Sequence, residues 1–269
     1  MMRAPSLAHL SEPADLAAPP FRLYAWPQRL LVVGPSHASG SHRHHAVQIA
    51  CGLHGPVAYR SPLGDCAGDL VLIPPDIAHA HDAFGAAAVL YLDAEGDDWA
   101  QLRAGGEGAL RALPCAPRLR GLARDAAARA GDACAASAAA RAYVEALLPR
   151  AETAVAPDDA LVATVCALVR ERLGGTVTLT ALAAAVHRSP SRLAHRFRAA
   201  TGLPLRRYVL WRRLRAAVET AMRGASLTEA AHAAGFADSA HLSRTFRATF
   251  GIAPSFLFER GRLAVTFLD

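Results

Sequence analysis

The feature that most constrains this chain is a helical pattern that occurs twice in its C-terminal part. The first copy runs from Thr178 to Pro204, and the second runs from Ser226 to Pro254. Leucine, alanine and phenylalanine positions match between the copies, first at an offset of 48 residues and then at an offset of 49. Two copies are too few for a solenoid of stacked repeats. We therefore predict a duplicated two-helix unit.

Capping residues mark the predicted helices of the second copy. Ser226 and Glu229 have the spacing of a capping box. Gly235 can adopt the left-handed conformation that ends a helix. Asp238 is then expected to begin a second helix, which Gly251 ends.

The first copy follows the same plan. Thr178 is the expected N-cap of its first helix, which stops near His187 and Arg188. Ser189 caps the next helix, and Pro190 occupies the first helical position. Two helices joined by a turn of three or four residues are the signature of a helix-turn-helix unit.

The second helix of each unit has one apolar and one basic face. Leu242, Phe246 and Phe250 lie four residues apart and form a core-facing stripe. The opposite face suits a major groove lined by phosphates and guanine acceptors, although a solvated face on an ordinary helical bundle is the alternative. The predicted DNA-facing residues are Ser191, Arg192, His195 and Arg198 in the first unit and Ala240, His241, Arg244 and Arg247 in the second.

The second copy carries the runs Ala230-Ala231, Gly235-Phe236, Ser239, Leu242, Ser243-Arg244, Phe246-Arg247, Phe250-Gly251 and Pro254-Ser255. With these residues, the region from about Leu161 to Arg260 resembles the DNA-binding domain of AraC/XylS-type transcriptional regulators. The resemblance covers about 100 of the 269 residues and implies two helix-turn-helix units in residues 159–262, each placing its second helix in the major groove. The apolar residues Phe256 to Phe258 and the tail Leu263 to Leu268 depart from the family ending.

A single long helix is predicted between the two units, from Pro204 to about Arg223. Its roughly 19 residues would span about 28 Å, close to the roughly 34 Å between successive major-groove faces of B-DNA. Trp211 and Leu214 are expected to anchor it between the units. The arginines predicted to contact phosphates are Arg206, Arg207, Arg212 and Arg213.

Charge is unevenly distributed along the chain. From Pro157 onward there are 16 arginines and 8 acidic residues, whereas the first 156 residues have a formal charge of −2. A basic half joined to a slightly acidic half is typical of a nucleic-acid reader attached to another domain. Five scattered cysteines favour reduced thiols and a cytoplasmic location. No apolar run is long enough to predict a membrane span.

The N-terminal half is predicted to hold a small β-barrel. Residues 1–20 are expected to be a flexible tail, and residues 21–95 contain short β-like runs separated by Gly and Pro. The predicted strands are Arg29 to Val33, Ala46 to Leu53, Val57 to Tyr59, Leu70 to Ile73 and Ala87 to Leu92.

Histidines in this region have a characteristic spacing. His42 and His44 are followed by Gln48, and Gly68 is followed by Pro74 and then His79. These spacings resemble the two cupin motifs, with Gln48, Asp76 and Ala83 departing from the usual Glu, Gly and Asn. The resemblance implies His42, His44, Gln48 and His79 as candidate ligands for Zn, Ni, Cu or Fe. The alternative is an organic-effector pocket with these histidines in its wall.

Residues 96–152 are predicted to be helical, with helices over Trp99 to Leu113, Arg118 to Ala130 and Ser137 to Leu148. They are expected to form a dimerisation element, with packing inside one subunit as the alternative. Residues 153–158 are the predicted linker. The fold class is α+β: a cupin-like β-barrel with helices, followed by an all-α domain of two helix-turn-helix units joined by a long helix.

The sequence therefore predicts a non-enzymatic, AraC-type transcriptional regulator. Its expected partners are promoter DNA, a small-molecule or metal effector, a second copy of the chain and, for an activator, RNA polymerase. Two alternatives remain: a metal-dependent, dioxygenase-like cupin enzyme fused to a DNA-binding module, and a non-specific architectural DNA binder.

Overall fold

The computed structural model describes residues 21–103, 109–128, 132–148, 160–258 and 262–268. The predicted α+β fold is confirmed: an N-terminal β-domain with helices packed on it precedes an all-α C-terminal domain. The predicted tail (1–20) and linker (153–158) lie outside the described residues. None of the helices in the described ranges has the length and apolar character needed to cross a membrane.

The β-domain contains nine strands before its first helix. They are β1 (Phe21–Trp26), β2 (Arg29–Pro35), β3 (Ser39–His42), β4 (Val47–Gly52), β5 (Val57–Tyr59), β6 (Cys66–Gly68), β7 (Leu70–Ile73), β8 (His79–His81) and β9 (Ala86–Leu92). All five strands predicted from the sequence are present among them. The additional strands are β1 and three short ones, of which β3 and β6 are rich in small residues.

The helical segment that follows differs from the prediction in one place. Helix α1 (Asp97–Arg103) ends early, and Arg111–Ala112 form strand β10, which pairs with β7. The predicted helix from Trp99 to Leu113 is therefore wrong at its C-terminal end. Glycines at positions 105, 106 and 108 oppose a continuous helix. Helices α2 (Pro117–Ala128) and α3 (Ala133–Leu147) are present close to their predicted positions.

Seven strands form one sheet in the order β10-β7-β4-β9-β2-β1-β11, where β11 (Leu263–Phe267) comes from the far end of the chain. The strand β11 pairs in parallel with β1, and the other neighbours in the sheet are antiparallel. Two short ladders, β3-β8 and β5-β6, complete the β-domain. The apolar tail that had no assigned role in the sequence is therefore an edge strand of the N-terminal sheet.

The β-domain is packed on both faces of its sheet. The central strand β4 is buried along its whole length. Its residues Ile49 and Cys51 face a core shared with α2 and α3, and Ala50 faces a second core with Tyr59 and Ile73. The inner faces of α2 and α3 therefore pack on their own chain's sheet, and dimerisation through these helices stays a prediction.

The C-terminal domain contains seven helices among the described residues. They are α4 (Ala160–Glu171), α5 (Leu179–Ala185), α6 (Pro190–Thr201), α7 (Leu205–Met222), α8 (Leu227–Ala233), α9 (Ser239–Phe250) and α10 (Pro254–Leu257). Each helix-turn-helix unit has its own core: α4, α5, α6 and the start of α7 enclose one, and the end of α7 encloses the other with α8 and α9.

The predicted caps are confirmed. The side chains of Thr178, Ser189 and Asp238 each accept a hydrogen bond from a backbone N–H of their helix, and Ser226 and Glu229 form the full capping box. Helices α6 and α9 end at equivalent left-handed glycines, Gly202 (φ 76°) and Gly251 (φ 73°).

Candidate nucleic-acid interface and sensor cavity

The second helices of the two helix-turn-helix units, α6 and α9, present the predicted basic faces to solvent. Leu193 and Phe197 of α6 are buried, as are Leu242 and Phe246 of α9. The exposed predicted residues are Ser191, Arg192, His195 and Arg198 on α6 and Ala240, Arg244 and Arg247 on α9. His241 is the exception, because it is half-buried with its ring 5.2 Å from that of Phe236. Arg244 is therefore an exposed side chain with several hydrogen-bond donors in the middle of α9.

The four arginines predicted to contact phosphates occupy different environments on α7. Arg206 is exposed. Arg213 donates to the carbonyl oxygen of Gly175 at 2.7 Å. Arg207 pairs with Asp76 of the β-domain, and Arg212 donates to Asp93 at 2.7 Å. Two of the four arginines, Arg207 and Arg212, therefore form ion pairs with the β-domain.

Asp93, at the end of β9, is the centre of the contact between the two domains. Its carboxylate is buried and accepts hydrogen bonds from the indole N–H of Trp211 at 3.0 Å, from Arg212 at 2.7 Å and from Arg215 at 2.9 Å. Arg215 also donates to the backbone carbonyl of Trp26. We call these four residues, Asp93, Trp211, Arg212 and Arg215, the Asp93 cluster. No sequence signal identified it, because Asp93 lies more than 100 residues before the other three members.

Glu95 lies beside the Asp93 cluster without a comparable set of donors. Its Oε1 atom is 3.8 Å from Arg212, and its buried Oε2 atom has no hydrogen-bond partner among the described residues. Burial, followed by the neighbouring Asp93 carboxylate, raises the pKa of Glu95 to about 7, and Arg212 opposes this shift. Tyr208 and Cys166 also face this carboxyl group.

The second helix-turn-helix unit also contacts the β-domain directly. The rings of Phe250 and Tyr91 are 5.9 Å apart. A Cβ placed on Gly251 would lie 2.9 Å from the Ser39 Cβ and 3.1 Å from the His42 Nδ1. The C-terminal end of α9 therefore rests on strand β3 with no space for a side chain.

Three of the predicted metal ligands converge inside the β-domain. One ring nitrogen from each of His42, His44 and His79 lies within 4.8 Å of the others, and all three residues are buried. The first and third are paired across the β3-β8 ladder. The fourth candidate, Gln48, has its Oε1 atom 2.8 Å from the His44 Nε2 and its Nε2 atom 2.9 Å from the Tyr59 hydroxyl.

Backbone carbonyls hold the three imidazoles in one orientation. The Nδ1 atoms of His42, His44 and His79 lie 2.9, 2.8 and 2.9 Å from the carbonyl oxygens of Gly40, Ala46 and Ile77. Burial, followed by the neighbouring histidines, lowers the pKa of His44 to about 4 and that of His79 to about 2. The cluster is therefore a set of neutral imidazoles, the form that binds metal ions.

An apolar cavity of about 140 Å³ lies next to this cluster, between the β-domain and the second helix-turn-helix unit. His42 and Gln48 line it from the β-domain. Its other wall contains Phe246 and Phe250 of α9 and Ile252 just beyond. A ligand in this cavity would contact both α9 and the β-domain.

The comparisons with known proteins agree on the C-terminal domain. Residues 182–260 match the family model described as a helix-turn-helix domain, which is of the AraC type. This match supports a DNA-binding transcription regulator. No curated protein sequence matches the chain.

Solved structures share the fold across both domains. An apo variant of ToxT from Vibrio cholerae aligns with a TM-score of 0.59 at 13% identity, over 87% of this chain and 97% of its own. Wild-type ToxT from the same organism, bound to an unsaturated fatty acid, aligns at 0.56 and 14% identity, over 87% and 95%. An AraC-type regulator from Chromobacterium violaceum matches 37% of this chain and 93% of its own at 22% identity, with a TM-score of 0.35.

Removing the central carboxylate should weaken the contact between the domains. We expect Asp93→Ala to lower the free energy of unfolding by about 3–5 kcal/mol, because Arg212 and Arg215 would lose the buried carboxylate that both of them contact. Urea denaturation followed by tryptophan fluorescence measures this. The control is Asp82→Ala, which removes an exposed ion pair with Arg60 and should change the free energy of unfolding far less. Equal effects of the two substitutions would contradict the assigned role of Asp93.

Glu95 should make stability depend on pH in a defined direction. Because its folded-state pKa is raised to about 7, its contribution is fully present below the unfolded-state pKa of about 4.5 and is lost as the pH rises through about 7. We expect the loss to be on the order of 3 kcal/mol. The measurement compares the unfolding free energy of wild type and Glu95→Gln between pH 4.5 and 8. Two parallel curves would contradict the raised pKa.

Proposed function

We propose that this chain is a sequence-specific DNA-binding transcription regulator of the AraC type, controlled by a small molecule or a metal ion bound in its β-domain. The observation that carries the proposal is the pair of recognition helices. Helices α6 and α9 both have a side-chain N-cap and a glycine C-cap, a buried Leu and Phe stripe, and a basic exposed face. Two basic faces on units that share the helix α7 support binding to two adjacent DNA segments.

The dimensions of α7 support this geometry. Its 18 residues span about 27 Å, and each of its ends belongs to the core of one unit. Successive major-groove faces are roughly 34 Å apart. A rigid helix of this length suits two recognition helices on the same side of a duplex, with Arg206 as the phosphate contact that is already free.

The contacts between the β-domain and the C-terminal helices support control by an effector. It binds α7 through the Asp93 cluster and Asp76, and it contacts α9 through β3 and Tyr91. Arg207 and Arg212 become available to phosphates only when their carboxylate partners release them. A ligand that changes the contact between the domains would thereby change both the position of α9 and the charge presented to DNA.

The cavity favours a small, mostly apolar effector. An apolar cavity of about 150 Å³ holds a molecule the size of benzene, and the cavity here is about 140 Å³ with no lysine or arginine in its described lining. ToxT has been solved with an unsaturated fatty acid. The cavity here, in its present form, suits a shorter molecule.

We further propose a cytoplasmic homodimer that contacts RNA polymerase if it is an activator, and a binding rather than a catalytic role for the β-domain.

Selection of DNA from a random duplex library by the full chain tests the proposed function. We expect enrichment of two short elements centred about 10 base pairs apart, one for each recognition helix. The salt concentration must be matched between rounds, because phosphate contacts make affinity strongly salt-dependent. Recovery of random sequence with undiminished affinity would identify a non-specific binder and overturn the proposal.

Arg244 is expected to contact a base. Arg244→Ala should weaken binding to the selected duplex by about 1–3 kcal/mol and relax the preference at one position. Fluorescence anisotropy with single-position variants of the duplex measures both effects. Arg170→Ala on the exposed side of α4 is the control and should leave affinity nearly unchanged. An equal loss on all duplexes would make Arg244 a phosphate contact instead.

A further inference from the structure

We propose that a divalent transition-metal ion, held by the ligand set His42, His44, His79 and Gln48 that the cupin spacing implies, controls the helix α9 through the contact between His42 and Gly251. The inference rests on the proposed function only in its last step, the effect on DNA reading.

The tautomer of each imidazole is the first argument. A backbone carbonyl can only accept a hydrogen bond, so an Nδ1 atom at 2.8–2.9 Å from such an oxygen must carry the proton. The Nε2 atom of each ring then carries a lone pair. Three histidines oriented in the same way by outer hydrogen bonds are the arrangement that fixes ligands around a metal ion.

Two of these Nε2 atoms, those of His79 and His44, have no hydrogen-bond donor facing their lone pair among the described residues. That of His79 is buried without any hydrogen-bond partner among the described residues. That of His44 lies 2.8 Å from the Gln48 Oε1, so two lone-pair atoms face each other. A cation between them satisfies both. Rotation of the Gln48 amide is the alternative, because its NH₂ group would then donate to His44.

The donor set fits a borderline transition metal. Zinc binds imidazole nitrogens at about 2.0–2.1 Å, which places neighbouring ligand atoms roughly 3–3.5 Å apart. The histidine nitrogens here lie within 4.8 Å of one another, so binding requires only a small inward movement of the side chains. Imidazole ligands suit Zn, Cu, Ni and Fe.

The contact between His42 and Gly251 connects this movement of the side chains to the end of α9. His42 and Ser39 belong to β3, and Gly251 packs against both without space for a Cβ. Its backbone is left-handed, as the helix end requires. When a metal ion draws His42 towards His79 across the β3-β8 ladder, the surface that supports the end of α9 moves with it. Metal binding would therefore change the position of the C-terminal end of α9.

Metal binding is tested on the full chain after chelation and dialysis. Titration with Co²⁺, followed by its visible absorption spectrum and by competition with Zn²⁺, should give one site per chain. We expect His79→Ala and His44→Ala each to weaken binding about 100-fold or more, whereas His54→Ala, at an exposed site, leaves it unchanged. Wild-type protein that takes up neither ion overturns the proposal and indicates the rotated Gln48 amide.

A gain-of-affinity variant separates loss of a ligand from loss of fold. Gln48→Glu supplies a carboxylate at the same position and offsets part of the charge of the ion. We expect it to bind Zn²⁺ about tenfold more tightly than wild type. Unchanged or weaker binding by the folded variant would exclude residue 48 from the metal ligands.

The connection to α9 has a matched pair of variants in the two units. Gly251→Ala and Gly202→Ala introduce the same backbone strain at equivalent helix ends, but only the first would collide with Ser39 and His42, since nothing lies within 4 Å at Gly202. We expect Gly251→Ala to weaken Co²⁺ binding about tenfold, a typical effect of disturbing a group that orients a metal ligand, and Gly202→Ala to leave it unchanged. Equal effects would overturn the connection.

Amide hydrogen exchange gives a readout that requires no DNA. Zn²⁺ should slow exchange in residues 248–252 of wild type and leave the equivalent end of α6 unaffected. Exchange that responds to Zn²⁺ only in β3 and β8 would reduce the proposal to a local metal site. A chain that selects DNA but binds no metal refutes this inference alone, whereas one that binds metal but shows no sequence preference refutes the proposed function alone.

Discussion

The buried carboxylate of Asp93 is the interaction on which the arrangement of this molecule depends. It lies at the end of a central strand of the sheet and accepts hydrogen bonds from three side chains of α7. Because α7 contributes to the cores of both helix-turn-helix units, one acidic group fixes the β-domain relative to both recognition helices. The parallel pairing of β11 with β1 adds a second connection from the other end of the domain.

Local chemistry explains which parts of the fold could be predicted. Caps such as Ser189 and Asp238 act within a few residues, so the sequence alone placed the helix-turn-helix units closely. Strand β6 escaped prediction because its residues Cys66–Gly68 have little β propensity of their own, and β3 escaped because its pairing partner β8 is distant in the chain. The same reason explains β10, where pairing with β7 replaces the predicted helix. Distant pairing cannot be read from periodicity.

The candidate site shows the same division. The spacing of His42, His44, Gln48 and His79 was visible in the sequence, and the structure brings these residues together. Their relation to the DNA-binding half was not visible, because a glycine ends the second helix of both units, Gly202 and Gly251, and only Gly251 contacts β3. Likewise, Arg207 and Arg212 have the sequence character of phosphate contacts, but their partners here are carboxylates of the β-domain.

The β-domain contacts α9 directly, and the histidine cluster and the apolar cavity lie at this contact. Our proposal is that the two are coupled in binding. The most direct measurement is the affinity of the full chain for its selected duplex, at one salt concentration, in metal-free and Zn²⁺-loaded forms. Coupling between two sites typically changes affinity by 5–150-fold. Our account predicts a change of at least about fivefold between the two forms. Equal affinities would contradict it.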